Sequence, residues 1–363
     1  MRIFLDITHP ADVHFFRHPI RHWLEQGHDV QVVARDKDIA HELLALFGIP
    51  FRPLGRAGRG PLGLALELAR RESAIFGLLR QGRCDVACGF GATFVVHAAR
   101  ILGVPTVVFT DAENARLANR LTFPFATLIC TPRSYRDDLG GCQRRFNGYK
   151  ELAYLHPSYF TPDPAVLRQS GLRDDEPFVF VRLTAWGSSH DFHQHGLTDR
   201  REALERLKRF GRVILSAEGD VPRDFDGLRF TGPLHQVHHL LAHARLFFGE
   251  SATMASEAAM LGTPAIFVST SRRGYTDELE QRYGMVFTYD HPRRGQEQAL
   301  RKAEALLRDP RTPRLWHQKR MRMLSGQENI TRYVTDLVER TAAQPLRGSG
   351  WSLARRSPAA RRT

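Results

Sequence analysis

Gly249-Glu250-Ser251-Ala252-Thr253-Met254-Ala255-Ser256-Glu257-Ala258-Ala259-Met260-Leu261-Gly262-Thr263-Pro264-Ala265-Ile266-Phe267-Val268 decides the fold class of this 363-residue chain. The apolar run before it, Ala244 and Leu246 to Phe248, predicts a buried strand. Small residues then make a turn, and an apolar-periodic helix carries Glu257. Gly262 and Pro264 stop that helix before a second buried strand, Ala265 to Val268. A strand, a small-residue turn and a helix N-terminus present backbone N–H groups and partial positive charge, which suits a phosphate. Glu257, on the first turns, is within reach of a neighbouring hydroxyl such as a ribose. The spacings of a P-loop and of a dinucleotide fingerprint are absent.

Outward from this unit, the N-terminal half alternates apolar strands with helical patterns. Strands are predicted at Arg2 to Ile7, Asp29 to Ala34, Val86 to Cys88, Thr106 to Thr110 and Thr127 to Cys130, with helices such as Phe16 to Glu25 and Ala92 to Leu102. Gly27 and Gly103 follow helices, where a left-handed cap is needed. The rhythm breaks over the aromatic and Pro-rich stretch from Gly148 to Pro164, the candidate connection between domains. It then resumes with strand Phe178 to Leu183, helix Asp199 to Phe210, strands Arg212 to Ser216 and Leu228 to Phe230, and helix Val237 to His243. An amphipathic helix from Arg332 to Arg340 closes the folded part. The expected fold is α/β: two Rossmann-like, doubly wound domains, residues 1–155 and 156–340, facing across a cleft, followed by a basic tail, 341–363.

Polar residues at the carboxyl ends of such strands face the ligand crevice. After the first strand stand Thr8, His9, Asp12 and His14. The two histidines suit acid–base work, whereas Thr8 and Asp12 read as caps. Asp111 and Glu113, with Asn114, follow another strand and either orient an acceptor hydroxyl or complement the next helix. In the second half, Arg182 and Ser188 form a phosphate-friendly strand end. Gly219 ends the next strand, and His235 is placed to bracket a nucleobase. Ser251, Ala252, Thr253 and Met254 offer amides to a diphosphate, and Asp277 and Glu278 offer carboxylates to sugar hydroxyls. His190, Asp191, His193 and His195 look like metal ligands at first sight, but the surrounding text is loop-like, and no metal is expected.

Composition is globular, with 42% apolar residues, and no apolar run reaches the roughly 20 residues of a membrane helix. Met1-Arg-Ile-Phe-Leu-Asp6 reads as a strand rather than a signal peptide, so a cytoplasmic protein is expected. Cys84, Cys88, Cys130 and Cys142 are too few and scattered for a disulfide framework. Of the net charge of +13, five come from tail arginines (Arg347, Arg355, Arg356, Arg361, Arg362), leaving +8. The tail reads as a solubilising end or as a weak anchor to nucleic acid or to anionic lipid at the inner membrane face. No specific nucleic-acid partner is indicated.

The whole constellation resembles the GT-B superfamily over roughly the first 340 residues. His14-Phe-Phe-Arg-His-Pro-Ile resembles the segment of the lipid II N-acetylglucosaminyltransferase that carries its proposed base. Glu113-Asn114, with Asn119, resembles its acidic-Asn segment, and Ser251 to Glu257 its donor signature, in which the Glu binds ribose and the turn amides bind diphosphate. In place of that enzyme's Gly-Gly pair stands Ala11-Asp12-Val13. The UDP-N-acetylglucosamine 2-epimerase shares the fold and a similar Glu-bearing helix, although its Gly-Thr-Arg-Pro-Glu opening is absent. The opening Asp6-Ile-Thr-His-Pro-Ala-Asp-Val-His-Phe-Phe16 is similar to that of an uncharacterised GT-B family of unknown function. The resemblance implies a metal-independent glycosyltransferase using a nucleoside diphosphate sugar, expected to be a UDP-sugar, without a cofactor. It implies a glycan or lipid-linked acceptor of the cell envelope, with His14 or His9 as base. A UDP-sugar 2-epimerase and a non-catalytic nucleotide- or glycan-binding regulator of the same fold are the alternatives.

Overall fold

The computed structural model describes residues 1–37, 39–56, 60–173, 175–184, 196–218, 223–292 and 294–343. Seven parallel strands form the first sheet: β1 (Arg2–Ile7), β2 (Asp29–Asp36), β3 (Arg52–Arg56), β4 (Val86–Phe90), β5 (Thr106–Phe109), β6 (Leu128–Pro132) and β7 (Gln143–Phe146). Their order is β3-β2-β1-β4-β5-β6-β7. The second sheet contains β8 (Phe178–Leu183), β9 (Arg212–Ala217), β10 (Leu246–Gly249), β11 (Ala265–Val268) and β12 (Val286–Tyr289), also parallel, in the order β12-β11-β10-β8-β9. Both sheets are flanked by helices, so central strands are covered on both faces and read as unbroken apolar runs. All four residues of β5, β10 and β11 are buried.

Strand order reverses between β1 and β4 in the first sheet and between β8 and β10 in the second. Ligand crevices form beyond the carboxyl ends of strands at such reversals. The segments there are Thr8 to Asp12, Gly89 to Gly91 and Glu250 to Met254.

The left-handed caps expected at Gly27 and Gly103 are present, with φ of 75° and 70°. Several boundaries differ from expectation. The first helix spans Pro10–Glu25, starting six residues early, because Pro10 occupies its first turn and His9 with Asp12 caps it. The strand expected at Leu228 to Phe230 is absent: Arg223–Leu228 forms a 3₁₀ turn, and only Arg229 bridges to Leu215. The acidic, Gly-containing Asp224-Phe-Asp226-Gly227 favours that turn over an extended run. The last described helix, Ile330–Ala343, packs against the first helix and against β4 and β5, returning the chain to the first sheet. Cys88 and Cys130 are buried thiols, and Cys84 and Cys142 are half-buried. No helix among the described residues is long and apolar enough to cross a membrane.

Candidate functional site

At the end of β1, Asp12 Oδ2 accepts the amides of Thr8 and His9, at 3.0 and 2.9 Å, and the Thr8 hydroxyl at 3.0 Å. His9 Nδ1 accepts the Ala11 amide at 3.2 Å, completing a reciprocal capping box. Asp12 is therefore a cap, as its spacing predicts. Burial raises its carboxyl to about 7 against those same bonds. His9 is exposed at the strand end.

His14, on the next turn, is buried at 8% exposure. Its ring meets those of Phe47, Tyr154 and His238, with centroids 5.8, 5.3 and 4.9 Å away. Burial, followed by the positive fields of His238 and Arg17, pushes its pKa well below the usual 6.5, and the imidazole is neutral. Its buried Nδ1 has no hydrogen-bond partner.

Glu257 joins this cluster from the other half of the molecule. Tyr154 Oη donates to Glu257 Oε1 at 2.8 Å, and His238 Nε2 lies 3.0 Å from the same oxygen. Both contacts use Oε1; Oε2 accepts no hydrogen bond from a described residue. Burial would raise the carboxyl, but His238 and the Tyr154 hydroxyl outweigh it, and the pKa is lowered. The group is a carboxylate with one oxygen held and one available.

The turn leading to Glu257 is built by close approach. A Cβ at Gly249 would run into the Arg182 backbone, so β10 meets β8 there only without a side chain. Buried Glu250 accepts the amides of Thr184 and Leu197, both at 2.8 Å, and the Arg200 guanidinium at 3.1 Å. It thereby ties the two described ends of segment 184–197. Ser251 caps the helix Ala252–Leu261 by accepting the Met254 amide at 3.3 Å. That amide is used by the cap, while the first-turn amides of Ala252 and Thr253 have no intrahelical acceptor. Arg182 bonds to Ser216 Oγ at 2.7 Å and pairs with Glu218, so its charge is met within the second sheet. Ser188, Gly219 and the histidine-rich stretch from His190 to His195 lie outside the described residues.

A second buried cluster lies beside the first. Lys150 Nζ pairs with Asp111 Oδ2 at 2.7 Å and sits over the Phe90 and Tyr275 rings. Burial alone would pull this ammonium down; Asp111, with Glu151 behind it, reverses the balance and raises its pKa. Burial lifts the Glu151 carboxyl to about 7, opposed by Lys150, and its Oε1 has no hydrogen-bond partner. Glu113 accepts the Arg136 amide at 3.2 Å, and burial raises its pKa. Asp277 pairs with Arg136 and with Arg272, the latter at 2.7 Å. Glu278 accepts the Tyr149 hydroxyl at 3.0 Å and the Arg282 guanidinium at 3.1 Å. Asp277 and Glu278 thus tie the two halves together.

The structure brings His14 next to Glu257 through His238, and Glu113 next to Asp277 through Arg136. Arg182 and Ser251 share no hydrogen bond with either cluster. His235 is half-buried on the wall of a cavity beside His238. The residues not anticipated as site members are Lys150, Glu151, Tyr154 and His238. The available signal was charge within an apolar stretch: Lys150-Glu151 precedes Leu152-Ala-Tyr-Leu155, all four buried. Among the described residues, no group of three His, Cys, Asp or Glu side chains is placed to hold a metal ion.

Residues 1–279 match the family described as a protein of unknown function, DUF354, and the chain belongs to that family. An uncharacterised protein of Methanocaldococcus jannaschii is 22% identical over 274 residues, covering 73% of this chain and 80% of its own length. The UDP-GlcNAc 2-epimerase of Neisseria meningitidis, bound to UDP-GlcNAc, superposes with a TM-score of 0.66 at 12% identity. The match covers 94% of this chain and 100% of the epimerase. MurG of Acinetobacter baumannii superposes at 0.58 with 16% identity, over 93% of this chain and 99% of its own. At these identities the likeness shows the fold, and the architecture is GT-B.

Proposed function

We propose that this DUF354 protein is a metal-independent glycosyltransferase that takes a sugar from a nucleoside diphosphate sugar, in the first instance a UDP-sugar. The observation carrying this reading is the meeting of His14 and Glu257 across the two halves. One is a neutral imidazole with an unpartnered nitrogen, the other a carboxylate with Oε2 available. Residues 1–155 then carry the acceptor side and 156–340 the donor side. Glu257 Oε2 accepts a ribose hydroxyl. The Ala252 and Thr253 amides, at a helix N-terminus, stabilise the diphosphate as it departs. The acceptor oxygen bonds to the anomeric carbon as the bond from that carbon to the diphosphate oxygen breaks. The acceptor proton passes to His14 Nδ1, and the electron pair leaves with the diphosphate. Parting of the halves admits the acceptor to the buried His14, and closure excludes water and favours transfer over hydrolysis.

One of the superposed proteins, an epimerase bound to UDP-GlcNAc, supports a nucleotide-sugar substrate class for this fold. A second reading, a nucleotide-sugar 2-epimerase, is favoured by the buried Asp111–Lys150–Glu151 cluster, which sets a carboxyl that burial raises to about 7 beside an ammonium. Incubating the enzyme with a UDP-sugar alone, and again with an acceptor panel, separates the two. Donor isomerised without acceptor supports the epimerase. Donor consumed only with an acceptor, and only when His14 is intact, supports the transferase. Neither change with any donor refutes both.

A further inference from the structure

Beside His238 lies an open cavity of about 450 Å³ between the first helix and the segments around Phe160 and His235. Arg17, His18, Arg21, His235, His238 and His239 contribute to its wall. Glu25 is the one carboxylate there among the described residues. Ile20, Phe47 and Phe160 supply an apolar side.

The two arginines of the wall have no counter-ion among the described residues, whereas His238 faces Glu257. The Arg17 guanidinium bonds to His18 Nε2 at 3.1 Å and to the Tyr154 carbonyl at 3.2 Å, and lies 5.0 Å from the Phe47 ring centre. None of these partners is an anion, and neither Arg17 nor Arg21 forms an ion pair with a described residue. Arg17 is held in place by its bonds and stacking, as a recognition arginine is. Burial, and after it the positive fields of Arg17 and Arg21, depresses the His18 imidazole to about 4. An anion entering the cavity turns this mutual repulsion into attraction.

We propose that this cavity is an anion site for a phosphate or phosphate ester, with any apolar part of the ligand lying on Ile20, Phe47 and Phe160. It is separate from the donor diphosphate site at Ala252 and Thr253, and does not rest on the transferase reading. The phosphate comes either from a soluble ester or from a lipid headgroup, and the two arms of the test tell them apart.

In the first arm, inorganic phosphate is titrated calorimetrically into the full chain with UDP present in excess. In the second, the chain is sedimented with phosphatidylcholine vesicles with and without phosphatidic acid. Each arm uses wild type, Arg21→Glu (an exposed position, so folding is preserved) and Glu257→Gln. The expected result is binding in at least one arm, weakened about tenfold or more by Arg21→Glu, a change of 1.4 kcal/mol or more, and unaffected by Glu257→Gln. Vesicle capture alone identifies a headgroup, and free phosphate binding identifies a soluble ester. Comparing variants that share the same tail removes the contribution of its arginines. Equal binding by wild type and Arg21→Glu overturns the proposal. So does competition by UDP, which would make the cavity part of the donor site, or no binding in either arm. Phosphate binding by a wild type that does not bind UDP would refute the donor reading alone.

Discussion

Replacing Asp111 by Asn tests whether the second cluster is held by charge. Asp111 and Lys150 are 2.7 Å apart, and their side chains are 8% and 10% exposed. At an effective dielectric constant of about 20, their attraction is ~6 kcal/mol, much of it offset by the desolvation of both ions. Removing one partner leaves an ammonium buried without its counter-ion, at a cost of about 3–5 kcal/mol. Asn keeps the shape and an acceptor oxygen, which places the expected loss toward the lower end. At roughly 2–4 °C per kcal/mol for a unit of this size, the melting midpoint should fall by roughly 6–20 °C. Lys150→Met and the double variant Asp111→Asn/Lys150→Met complete the cycle; the double removes both charges and should recover most of the loss, giving a coupling energy of about 2 kcal/mol or more. Thermal and urea unfolding of the full chain at neutral pH measure all three. A single variant that loses under about 1 kcal/mol, or a double variant that loses the sum of its parts, refutes the reasoning. A drop in turnover at an unchanged midpoint would instead place Asp111 in the chemistry.

Three further outcomes are expected. His14→Gln should lower kcat by about 10²–10⁴-fold, the usual contribution of a general base, with donor KM little changed; an unaltered kcat removes His14 from the mechanism. Glu151 has a folded pKa of about 7 against an ordinary 4.5, so the native state holds its proton more tightly than the unfolded chain. Its contribution is therefore present in full below the unfolded value and lost as pH rises through 7, a difference of about 3 kcal/mol. Glu151→Gln should gain stability relative to wild type at about pH 8 and not at about pH 5; parallel pH–stability curves would contradict this. Gly249→Ala should cost about 1–3 kcal/mol by forcing β10 away from the Arg182 backbone, and an unshifted urea midpoint would show that the approach is not tight.

The central strands were legible because burial on both faces leaves unbroken apolar text, and β1, β8 and β11 begin and end where their sequences indicate. The edge strands of the first sheet were not, although β9, at an edge of the second, was. β3 is Arg-Pro-Leu-Gly-Arg and β7 is Gln-Arg-Arg-Phe, at opposite ends of the first sheet, where only one neighbour supplies hydrogen bonds and the text is not apolar. The helix-capping role of Asp12 could be read locally because its partners lie three and four residues away. The ties across the halves could not. Tyr154 meets Glu257 across 103 positions, and Arg136 meets Asp277 across 141. No periodicity carries such pairings, and for that reason nothing in the helix Val237 to His243 singles out His238, and Lys150 is passed over.

The most direct test of the donor-site account is thermal stabilisation by UDP-, GDP- and dTDP-sugars in EDTA, with wild type and Glu257→Gln side by side. A ligand at a hundred times its Kd stabilises the native state by about 2.7 kcal/mol, so the matching nucleotide sugar should raise the midpoint by roughly 5–10 °C. The account predicts that rise for one nucleotide class in wild type and its loss in Glu257→Gln. No shift in wild type with any of the three classes, or an equal shift in the variant, would contradict it.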